Sequence, residues 1–137
     1  MIDTQEVRRG LYSIPYRREV THEEADLIWT MLERVAPQRH HEIATLKIIG
    51  RCGCGMCPTI IFGTSYDQKL PSGILGEIAQ YTGFNAQQLE VGIALIVRDD
   101  AISELEVWGM EGAVISLPSL RSLIPVVAPI HVVADAV

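Results

Sequence analysis

The sequence predicts a single α+β domain over residues 1–137, with one N-terminal amphipathic helix packed on a four- to five-stranded, mainly antiparallel sheet. Three observations carry that expectation. Residues 21–36 repeat apolar side chains at steps of three and four behind a capping box, whereas residues 44–49 and 102–108 alternate with a period of two and residues 89–97 are apolar on both faces. The length of 137 residues, with 48% hydrophobic and 20% charged side chains, is that of one packed domain. Such a chain buries roughly 68% of its unfolded surface and is expected to fold unaided.

Residues 1–18 mix Arg8, Arg9, Arg17 and Arg18 with Leu11, Tyr12, Ile14 and Tyr16 around Gly10 and Pro15, which suggests an irregular lead-in or a short strand. Thr21-His22-Glu23-Glu24 then has the spacing of a capping box, a hydroxyl at the N-cap and a carboxylate three residues on. The helix runs from about Thr21 to Ala36, with Ala25, Ile28, Met31, Leu32 and Val35 on one stripe, and Pro37 stops it. Ala44 to Ile49 and Thr59 to Phe62 read as two strands. Leu70-Pro71-Ser72-Gly73 reads as a turn. Glu77 to Thr82 reads as a strand, because Gly73, Gly76 and Gly83 weaken a helix. Leu89 to Val97, the turn Arg98-Asp99-Asp100 and Ile102 to Trp108 form an antiparallel hairpin whose first strand is central. In the second strand Ser103, Leu105 and Val107 face inward, with Ile102, Glu104, Glu106 and Trp108 on the outer face. Pro118 to Leu123 suggests one helical turn. The apolar end, Pro125 to Val133, is expected to dock as an added strand, and Ile130 to Val133 could do so across a homodimer.

Charge narrows the partners. The formal net charge is −6, and nearly all of it lies in residues 99–137. Asp99, Asp100, Glu104, Glu106 and Glu111 have only Arg121 beside them, so nucleic acid and anionic membranes are excluded as partners of that face, and a basic protein would be drawn to it. The longest apolar runs fall well short of the ~20 residues that span a bilayer. The first residues carry neither a basic flank nor an apolar core of a signal, so the expected address is cytoplasmic.

All three cysteines fall in Arg51-Cys52-Gly53-Cys54-Gly55-Met56-Cys57-Pro58. Three chemistries fit this spacing. Zinc would take Cys52, Cys54 and Cys57 with a histidine as fourth ligand, His41 first and otherwise His40, His22 or His131. Thiol exchange would use Cys54 and Cys57, but no helix follows to lower a thiol pKa. The favoured reading is structural, with the cysteines packed as small apolar residues around a glycine-rich bend, inert and needing no cofactor.

Taken in order, Thr21-His22-Glu23-Glu24, the run from Ile48 through the cysteines to Thr59, Val91-Gly92-Ile93-Ala94-Leu95, and Leu105-Glu106-Val107-Trp108 form a combination that resembles a group of small uncharacterised bacterial proteins. Those proteins share an opening helix, a glycine- and cysteine-rich strand junction and a late hairpin ending in a Leu-Glu-Val-aromatic strand. The resemblance covers most of the chain. It implies one α+β domain and implies no catalytic residue.

Enzyme signatures are missing from the sequence: there is no G-x-S-x-G elbow, phosphate loop, dinucleotide fingerprint or H-E-x-x-H helix. The chain therefore reads as a non-enzymatic binding protein. Asp99, Asp100, Glu104, Glu106 and Trp108 are the expected contact residues for a basic partner, as in a toxin-immunity protein that presents carboxylates where a nuclease holds phosphates. The alternative is a zinc- or thiol-dependent protein built on Cys52, Cys54 and Cys57.

Overall fold

The computed structural model describes residues 13–112 and 116–127. Its strands are β1 (Ser13–Arg18), β2 (Lys47–Cys52), β3 (Ile60–Gly63), β4 (Leu75–Phe84), β5 (Glu90–Arg98), β6 (Ala101–Gly109) and β7 (Ile124–Pro125). They form one antiparallel sheet in the order β1-β2-β3-β6-β5-β4-β7. The α+β class stands, but the sheet has seven strands where four or five were expected. The two extra strands are the outermost ones, β1 and β7. Both are short and partly polar or proline-containing, so they carry little periodicity of their own.

The helix α1 (His22–Val35) is capped at both predicted ends. Thr21 Oγ1 accepts the Glu24 amide at 3.1 Å, the Glu24 carboxylate accepts the Thr21 amide at 2.9 Å, and Ala36 is the C-cap. Leu27, Ile28, Met31 and Leu32 enter the core beside Ile48, Phe62, Ile93, Leu95 and Leu105. Val35, expected on the buried stripe, is 49% exposed, while Leu32 and Ala36 on either side of it are in the core.

Glu24 does more than cap. Only 4% exposed, it receives two bonds from the Arg18 guanidinium, at 2.9 and 2.7 Å, and so ties β1 to the helix. Burial opposes its ionisation, yet the bonds from Arg18 and Thr21 prevail and hold its carboxyl below the ordinary range. This contact stabilises the fold fully above the unfolded glutamate pKa of about 4.3, and the stabilisation is lost as pH falls through the lower folded value. Replacing Glu24 with Gln is expected to lower stability at pH 7 by roughly 1–3 kcal/mol. That deficit should shrink as urea titrations are repeated at falling pH; a deficit constant down to the acid transition would contradict the pairing.

Where Ala44 to Leu46 were expected to open a strand, Pro37–Thr45 instead forms a 3-10 segment and β2 begins at Lys47. Pro37 starts that segment at its first turn, and Thr45 Oγ1 closes on the Glu42 carbonyl at 2.7 Å. The β5–β6 hairpin is as expected. Asp99 and Asp100 have φ of 50° and 67°, the left-handed pair of a two-residue turn whose twist suits antiparallel strands. One detail differs: Ile102 packs in the core with Leu105. The pairing skips Ser103 between Glu104–Ile96 and Ile102–Val97, and that bulge turns Ile102 to the opposite face.

The turn after Leu117 appears as the short 3-10 segment Leu120–Ser122, which leads into β7 against Tyr81 and Thr82 of β4. Part of the expected terminal strand is therefore present on the same chain. Ile130 to Val133, proposed to reach across a dimer, lie outside the described residues. Among the described residues no helix is long and apolar enough to cross a membrane.

Candidate metal centre

The cysteine segment closes the hairpin between β2 and β3. Its loop folds back at once: Gly55 donates to the Cys52 carbonyl at 3.2 Å, and Cys52 donates to the Thr59 carbonyl at 3.4 Å. Gly55 sits at φ +74°, a left-handed conformation that a side chain would strain, and this turns the chain so that Cys57 comes back over Cys54. The three Sγ atoms all lie within 4.8 Å of one another. In a tetrahedral zinc site with Zn–S near 2.3 Å, neighbouring sulfurs stand about 3.8 Å apart. One ion can therefore touch all three thiols with small adjustments of a surface loop.

Backbone amides complete the arrangement. The Met56 and Cys57 amides point to the Cys54 sulfur at 3.4 and 3.3 Å, and the Cys54 amide points to the Cys52 sulfur at 3.5 Å. Burial works against a thiolate at Cys54, but these amide donors outweigh it and bring the Cys54 thiol down to about 7. Burial pushes the Cys52 thiol up to about 12. The sequence offered no helix to lower a thiol pKa; a tight loop does so instead, by aiming successive N–H groups at one sulfur.

The expectation of packed, core-like cysteines is corrected here. Cys54 is exposed, Cys52 and Cys57 are half-buried, and all three line a pocket of about 360 Å³. Its other wall comes from β6: Glu104, Glu106, Val107, Trp108 and Gly109, with Met56 and Thr59 from the loop. Pairing of β3 with β6 brings the two walls together, with Ile60 opposite Leu105 and Ile61 opposite Glu104. Thr59 locks the join: its hydroxyl donates to the Val107 carbonyl at 3.1 Å and accepts the Val107 amide at 2.9 Å. Trp108 lies across Gly92 of β5, where any side chain would collide with the indole. That bare glycine holds the ring against the sheet beside the pocket.

Two residue sets that the sequence treated as rivals, the cysteines and the β6 face, thus line one pocket. The other predicted ligands and contacts are elsewhere. His41 sits in the 3-10 segment, where its Nδ1 donates to the Gln38 carbonyl at 2.9 Å, and the ligating cluster among the described residues comprises the three thiols alone. His40 stacks on Trp29 with ring centroids 4.3 Å apart and donates to the Trp29 carbonyl at 3.1 Å. His22 opens α1, and His131 lies outside the described residues.

The five expected acidic and aromatic contacts do not form one surface. Asp99 and Asp100 occupy the turn at the far end of β6, roughly 25 Å from Trp108 at ordinary strand rise. Asp99 accepts the Ile74 amide at 3.2 Å, and Asp100 pairs with Arg39 at 3.0 Å while remaining 90% exposed. Glu104 was expected on a solvated outer face. It is 5% exposed, flanked by Ile61 of β3 and Ile96 of β5, and its carboxylate faces Arg98 at 3.7 Å. Glu106 and Trp108 are half-buried.

An antiparallel sheet carrying a three-thiol loop over a pocket is the class of arrangement the geometry defines. Comparison with known proteins found no matching family model, no matching curated protein and no matching solved structure, so the site stands on its own chemistry.

Proposed function

We propose that this chain is a thiolate metal-binding protein in which Cys52, Cys54 and Cys57 hold one thiophilic divalent cation, zinc first among them, at the mouth of the β6 pocket. The observation that carries the reading is the convergence of three sulfurs within 4.8 Å on a loop whose amides already point at two of them, Cys54 Sγ and Cys52 Sγ. Soft thiolates select zinc over the hard cations that prefer oxygen ligands. Amide donors to sulfur stabilise the thiolate form that metal binding requires. Among the described residues the three thiols are the ligands, which leaves one coordination position for a further donor, the arrangement of zinc sites that exchange ligands rather than of closed structural ones.

Elemental analysis of the protein purified under reducing conditions tests the reading. One zinc per chain is expected, with loss of the metal when all three cysteines become serine and with far-ultraviolet circular dichroism unchanged, since the sheet core does not include the loop. A wild-type protein that neither retains nor takes up zinc, with its thiols equally reactive towards a thiol reagent with and without added zinc, would refute it.

A further inference from the structure

We propose that the open coordination position of the Cys52–Cys54–Cys57 site takes a neutral aromatic nitrogen donor of the imidazole class from the β6 pocket; this rests on the metal reading above. Charge decides the type of donor. Three thiolates exceed a divalent ion by one negative charge, and Glu106 stands on the same pocket wall, next to Glu104, whose own charge is faced by Arg98 at 3.7 Å. A carboxylate or a further thiolate would add to that excess, whereas a neutral nitrogen does not.

Shape decides between a heterocycle and water. The pocket of about 360 Å³ falls within the range of small-molecule sites, and Met56 and Trp108 give it apolar walls that a lone water would leave unfilled. The indole is braced against Gly92, so it offers a fixed aromatic surface to a flat ring. A metal-bound imidazole ordinarily donates its second ring N–H to a carboxylate, and the half-buried Glu106, two residues before Trp108 on the same face, brings a carboxylate to the wall of this pocket. Metal, carboxylate and aromatic wall then each meet a different part of one small planar ligand.

The test uses the full chain loaded with cobalt(II), whose visible bands report tetrahedral coordination and whose thiolate charge-transfer band reports the three sulfurs. Imidazole is the probe, with acetate and 2-mercaptoethanol as competitors. The expected result is a saturable change in the visible bands on adding imidazole, with the charge-transfer band retained and with tighter binding than either competitor. Glu106→Gln should weaken imidazole roughly tenfold while leaving the charge-transfer band in place. Visible bands indifferent to imidazole, acetate or mercaptoethanol binding more tightly, or wild-type affinity in Glu106→Gln would each overturn the proposal while the metal reading stands. Failure of cobalt to produce the thiolate band would instead remove the metal reading and this inference with it. Should Glu106→Gln not fold, the ranking of the three probes on the wild-type protein decides.

Discussion

Replacing Glu104 with Lys is expected to destabilise the protein by about 3–5 kcal/mol, the usual effect of breaking a buried charge pair. The carboxylate is 5% exposed, lies between Ile61 and Ile96 on the neighbouring strands, and faces the Arg98 guanidinium at 3.7 Å. A lysine there would place a second cation beside Arg98 in a position where water cannot screen the repulsion. Against a total stability of about 5–15 kcal/mol, the loss is large enough to unfold much of the population on mild heating. Urea denaturation checks it: the midpoint should fall sharply while the slope stays that of wild type. A midpoint within error of wild type would mean that Glu104 is solvated and that β6 is not a central strand. The result also bears on the acidic-surface reading, because a partner lost with this variant would report unfolding rather than a severed contact.

Truncating Leu105 to Ala is expected to destabilise by roughly 2–5 kcal/mol. Leu105 is fully buried, with Ile60 and Leu95 opposite it on the two neighbouring strands, and it belongs to one core cluster with Ile28 and Leu32 of α1. Packing fixed from both sides collapses poorly around a deletion, so the upper half of that range applies. Leu105→Met keeps nearly the same volume and should lose less than about 1.5 kcal/mol. Thermal or urea unfolding of the pair separates cavity from chemistry; equal losses in both variants would contradict a close-packed centre at this position.

These two neighbours on one strand show what could be read in advance. Leu105 was placed inward correctly from alternation alone, since side chains one residue apart must point to opposite faces. The same rule put Glu104 on the other face, also correctly, but the assumption that the other face meets solvent failed. Whether a strand face is wet depends on the strand's place in the sheet, and β6 acquires its second neighbour from β3, some forty residues earlier in the chain. Ile102 failed for a local reason: a one-residue bulge at Ser103 shifts the period, and nothing in the residue types announces it.

The candidate site divides in the same way. The clustered cysteines, their glycine hinges and the helix cap at Thr21 were legible because each depends on residues within a few positions of one another. Loop closure over such short spans needs no tertiary help. His41 as a fourth ligand was a guess from residue type, and its own bond to Gln38 uses the ring elsewhere.

By itself, then, the sequence determined the helix and its caps, the β5–β6 hairpin with its Asp99–Asp100 turn, and the grouping of three thiols in one loop, all of them products of short-range sterics, hydrogen bonding and periodicity. Only the tertiary structure decided the seven-strand order, the burial of Glu104 and the meeting of the cysteine loop with Glu106 and Trp108. Those depend on the β3–β6 pairing, a long-range contact driven by the sum of apolar burial over the whole sheet and locked by Thr59 against Val107.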